Sequence, residues 1–83
     1  MNREELLSNI KKYQHNIGMW KIELGEITDA DFVIGYGYDD EKEMWKVFQN
    51  SERGMQSEWF FSNEDEAISK LFRKINFQYK ISN

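Results

Sequence analysis

Apolar residues recur at steps of four, three and four through Leu6, Ile10, Tyr13 and Ile17, and Asn2 stands three residues before Glu5, the spacing of a capping box. This pattern predicts an amphipathic helix over about residues 3 to 16, with Gly18 as the left-handed residue on which such helices commonly end. From Met19 the period shortens to two. Trp20, Ile22 and Leu24 alternate with Met19, Lys21 and Glu23, as in a strand with one buried face. The run GEITDAD at 25 to 31 breaks the alternation with turn-forming residues and reads as a connecting loop. Phe32, Ile34, Tyr36 and Tyr38 then line one face of a second strand, and Val33, Gly35 and Gly37 line the other. Two glycines at spacing two predict a bulge, a sharp bend, or some group lying close against the backbone.

DDEKE at 39 to 43 is a charged turn, and Met44 to Asn50 make a third strand with Trp45 and Val47 on one face and Met44, Lys46 and Phe48 on the other. SERGM closes a hairpin, with Gly54 suited to the positive φ that such loops require. Gln56 to Phe61 form the fourth strand, Trp59 and Phe61 on one side and Phe60 on the other. Ser62 and Asn63 are alternative caps for a second helix whose apolar stripe is Ala67, Ile68, Leu71, Phe72 and Ile75. The tail FQYKISN either extends this helix or becomes an extended segment, and the alternation of Phe77, Tyr79 and Ile81 slightly favours the second. The expected fold is therefore a single α+β domain over 1–83, with an N-terminal helix, a four-stranded antiparallel β-meander and a C-terminal helix in a two-layer sandwich.

A chain of 83 residues buries only about two thirds of its unfolded surface, so three Trp, six Phe and four Tyr must supply much of its core. The opening residues predict no secretory signal and no run approaches a membrane span, so a soluble, cytoplasmic protein is expected. The net charge of −4 conceals a sharp asymmetry. Residues 25 to 66 hold twelve acidic side chains against three basic ones, whereas Lys70, Arg73, Lys74 and Lys80 follow with no acid among them. Phosphate-backbone binding needs a broad positive face, and the acidic middle section argues against it.

No cysteine is present and His15 is the single histidine, so no thiolate or ordinary zinc site is expected, and His15 reads as a surface residue at a helix end. The acids at 39 to 43 and 64 to 66 lack calcium-loop spacing, and GYG at 35 to 37 lacks the remainder of a phosphate-binding glycine motif. The serines have no nucleophile-elbow context. No catalytic, cofactor-binding or metal residues are assigned, and no enzyme activity is expected. Arg53 is either a solvated hairpin tip or a guanidinium anchor for a partner carboxylate or phosphate. Trp20, Trp45 and Trp59 are either core or part of an exposed aromatic patch, since two helices cannot cover both faces of such a sheet.

The segments WKVF, SERG and FFSNEDEAI, in that order, resemble the small immunity proteins that accompany bacterial polymorphic toxins, in particular the immunity protein 59 type, over about residues 20 to 75. The resemblance implies a cytosolic protein that binds a cognate toxin stoichiometrically. An acidic middle section fits a nuclease toxin with a basic cleft, and the contact candidates are Asp39, Asp40, Glu41, Glu43, Glu52 and Arg53. The Gly35 and Gly37 pair and the short tail have no place in the family pattern. Two other readings compete: a double-stranded RNA-binding-like domain using Lys70, Arg73, Lys74 and Lys80, and a homo-oligomeric phage or prophage accessory protein paired through a free sheet edge.

Overall fold

The computed structural model describes residues 2–11, 20–52 and 55–82. His15 and the proposed Gly18 cap, together with Arg53 and Gly54 of the hairpin tip, lie outside them. The elements are α1 (Arg3–Ile10), β1 (Lys21–Leu24), β2 (Val33–Asp39), β3 (Met44–Asn50), β4 (Gln56–Phe61) and α2 (Glu64–Ser82). Asn2 caps α1 through its Oδ1, which accepts from the Glu5 amide at 2.9 Å. Of the expected span to residue 16, the helix is described only through Ile10. Asn63, rather than Ser62, caps α2, accepting from the amides of Asp65 at 2.7 Å and Glu66 at 3.3 Å.

Both helices pack on one face of a four-stranded sheet of order β1-β2-β3-β4. The layer between them is closed by Leu6, Ile10, Ile34, Tyr36, Val47, Ala67, Ile68, Leu71 and Ile75, all fully buried. Each large aliphatic side chain among them contributes roughly 1.5–3 kcal/mol of transfer free energy. All three tryptophans pack half-buried against this cluster.

Two expectations are corrected. The sheet is mixed: β2, β3 and β4 are antiparallel neighbours, but β1 pairs with β2 in parallel, Ile22 beside Ile34 and Leu24 beside Tyr36. The tail is helical to Ser82, because Gln78, only 8% exposed, continues the buried stripe from Ile75 and Leu71, and continuing the helix satisfies each backbone amide without a new strand partner. An amide at a buried helical position hid that stripe from a hydrophobic count.

Parallel neighbours normally need a crossover of a dozen or more residues, usually helical. Residues 25–32 manage it without a helix by lying flat on the sheet face opposite the helices. Gly25, at φ 88°, turns the chain off β1, and Phe32, at φ 59°, turns it into β2, ahead of the strand it was expected to begin. Between them the strap passes over Gly37, where an added Cβ would stand 2.8 Å from Ile27 Cγ1 and 3.1 Å from the Ile27 amide nitrogen. Farther along, the Asn50 amide nitrogen donates to the carbonyls of Thr28 at 2.8 Å and Ala30 at 3.0 Å. The glycine pair therefore marks a close backbone approach, and the strap covers the second face over β2 and the end of β3, leaving Gln56 and Glu58 of β4 exposed.

Candidate functional site

The topology gathers charge at one end of the sheet. β1 and β2 run upward into Glu26 and Asp39, β3 starts just after Glu43, and β4 ends where α2 opens with Glu64, Asp65 and Glu66. Asp39, Asp40, Glu41 and Glu43 thus share this end with Glu26 and the first turn of α2. The β2–β3 turn is built by Asp39, whose Oδ1 accepts from the amides of Glu41 at 3.0 Å and Lys42 at 3.2 Å. Glu43 closes it at φ 53°, a left-handed conformation that costs a non-glycine residue about 1 kcal/mol or more. Asp39 is therefore a structural member of the set, while Asp40 and Glu41 are exposed with no such duty.

One cation at this end is already engaged. Lys42 folds back so that its Nζ lies 4.0 Å from the centre of the Phe60 ring. Arg3, at the start of α1, lies with its guanidinium 3.7 Å from the place a Cβ on Gly25 would occupy. Glu64 accepts from the hydroxyl of fully buried Tyr36 at 3.3 Å. Burial first, and the Glu64 carboxylate second, push the Tyr36 phenol above its ordinary range, against a smaller opposing effect of Arg3. Because the folded-state value is raised, this contribution is complete below the unfolded phenol pKa of about 10 and is lost as pH rises through the folded value. Alkaline denaturation should therefore be less steep in Tyr36→Phe than in the wild type above about pH 10, as read by urea melts at a series of pH values.

Glu52 does not belong to this end. It sits in the β3–β4 turn, where its carbonyl accepts from the Met55 amide at 3.2 Å and the Ser51 amide donates to the Met55 carbonyl at 2.7 Å. The seven residues of β3 separate it from Asp39 to Glu43 by about 20 Å. One compact contact cannot include the whole expected set, and Arg53 lies outside the described residues.

The sequence reading passed over Lys70 and Lys74 stacking on Trp59, with Nζ 4.8 and 4.5 Å from the ring centre. A shallow depression of about 460 Å³ lies close by, lined by Phe61, Asp65, Glu66, Ser69 and Arg73. Its acids occupy the first turn of α2, next to the Asn63 cap. Among the described residues no group of three or more His, Asp or Glu side chains is placed to hold a metal ion, and no helix is long and apolar enough to cross a membrane.

No family model matches the chain, and no curated protein or solved structure matches it.

Proposed function

We propose that this protein is a non-catalytic binding module that neutralises a cognate bacterial toxin by stoichiometric occupation of a basic surface on it. The observation that carries the reading is the convergence of Asp40, Glu41, Glu43, Glu26, Asp65 and Glu66 on one end of the sheet, beside a lysine that is turned away onto Phe60. Such an end presents focused negative potential on a rigid support, which speeds encounter with a phosphate-binding cleft and competes with the substrate's own charge. The resemblance of WKVF, SERG and FFSNEDEAI to immunity proteins supplies the class of partner.

The test starts from the adjacent reading frame: where it encodes a toxin-like domain, association with that domain is followed by stopped flow. The association rate should fall at least about tenfold between 0.05 and 0.5 M salt, since the Debye length shrinks about threefold over that range. Asp40→Lys with Glu41→Lys should reduce it further and abolish rescue of cells from the toxin, while Asp39 is left intact to keep the turn. A rate insensitive to both salt and charge reversal would rule out the acidic end as the contact.

A further inference from the structure

We propose that the outer edge of β4, with the flank of α2 that carries Lys70, Lys74 and Phe77, is a docking surface for an extended acidic segment of a partner protein, which adds to the sheet as a fifth strand. This assignment does not depend on the toxin reading and uses a different part of the molecule from the acidic end.

β4 is the last strand of the sheet, and among the described residues nothing pairs with its outer backbone groups. Gln56, Ser57 and Glu58 on it are exposed. An open edge of this kind is a template for strand addition, in which main-chain hydrogen bonds supply affinity and alternate side chains supply specificity. Glu58 is already committed to Lys46 across the strand pair at 2.6 Å, so the edge carries no free acid in its middle.

The helix beside the edge has the complementary chemistry. Lys70 and Lys74 lie over Trp59 without an ion-pair partner among the described residues, and Arg73 follows on the same helix. Partial burial, and then the charges of Lys74 and Arg73, hold the Lys70 ammonium below its ordinary range, so an incoming carboxylate would relieve a repulsion already present. The row continues at helical spacing to Phe77, 58% exposed, and Ile81, 63% exposed. α2 starts where β4 ends and runs back over the sheet, so these apolar groups lie toward the end of the sheet that holds Gln56 and Met55, the latter 69% exposed. A strand laid on this edge points every second side chain toward α2. The matching segment therefore carries an acid opposite Lys70 and Lys74 and an aliphatic residue two positions along, over Phe77.

A labelled heptapeptide of alternating glutamate and valine, blocked at both ends, is the probe, with binding read by fluorescence anisotropy at about 50 mM salt and by amide shifts. Binding should perturb amides of β4 and α2. Lys70→Glu with Lys74→Glu should weaken it at least tenfold, and Phe77→Ser, at an exposed position that leaves the core intact, should weaken it severalfold. A glutamate–proline peptide of equal length and charge should bind at least tenfold more weakly, because proline cannot donate to the edge. The Asp40→Lys, Glu41→Lys variant should bind the probe as the wild type does. The proposal is overturned if the probe does not bind, in which case the lysines only guard the edge. It is equally overturned if the proline peptide binds as well, if the acidic-end variant loses binding, or if a ten-nucleotide oligothymidylate or an RNA duplex binds more tightly than the peptide.

Discussion

Asn50→Asp should destabilise the domain by about 3 kcal/mol or more at pH 7, a large part of the roughly 5–10 kcal/mol typical of a domain this size. Asn50 is 2% exposed, and every polar atom of its side chain is used. Its nitrogen donates to the carbonyls of Thr28 and Ala30, and its oxygen accepts from Gln56 Nε2 at 2.7 Å. A carboxylate keeps the last bond but turns two donated bonds into contacts between a buried charge and two carbonyl dipoles of the wrong sign. The strap then loses its anchor at the far end from Gly37. Asn50→Ala, which removes the donors without adding charge, should cost about 1–3 kcal/mol. Burial raises the new carboxyl's pKa in the folded state, so its stabilising contribution is present below about pH 4 and is lost as pH rises through the folded value. The gap between the aspartate variant and the wild type in urea melts should accordingly narrow on acidification. Equal midpoints at neutral pH would mean that Asn50 does not hold the strap.

Gly35→Ala should cost about 2–3 kcal/mol and Gly35→Val more, the opposite of the stabilisation of about 0.4–1 kcal/mol that replacing a strand glycine gives where space allows. A Cβ on Gly35 would collide with the backbone carbonyl oxygen of Glu23 on the neighbouring strand and stand 2.8 Å from Cζ of Phe48. Neither obstacle gives way easily: one is main chain in a ladder, and the other is a ring that is fully buried. β1 must therefore move away from β2, and its amides should lose hydrogen-exchange protection before those of β3. Gly37→Ala should cost less, about 1–2 kcal/mol, because its closest obstacle is Cγ1 of the half-exposed Ile27 side chain, while the strap backbone at the Glu26 carbonyl carbon and the Ile27 nitrogen stands off at 3.1 Å. If the two alanine variants melt together, the difference between a backbone and a side-chain obstacle does not govern this face.

Local patterns carried most of the elements. The period of two located β3 and β4, and the cap followed by an acidic first turn located the start of α2, because these signals arise from side chains within a few residues of one another. The stripe through Ala67, Ile68, Leu71 and Ile75 became core as expected. The direction of β1 could not be read in this way. A connection of eight residues suits either a hairpin or a strap, and the choice rests on Gly35 and Gly37 in the next strand and on Asn50, a full hairpin further along the chain. The candidate contacts divided for a related reason: Asp39 to Glu43 and Glu52 are neighbours in sequence, yet a full strand places them at opposite ends of the sheet.

The sequence by itself determined an α+β chain with helices at its ends and aromatic strands between them, because periodicity, caps and turn residues act locally. Only the tertiary structure decided that the first strand runs parallel and that a strap crosses the second sheet face over β2. It also decided that acids from three connections meet at one end while stacked lysines line the flank of α2 beside β4. Those outcomes depend on which distant backbone groups approach closely enough to exclude a Cβ or to require a buried amide, and no short window of residues records that distance.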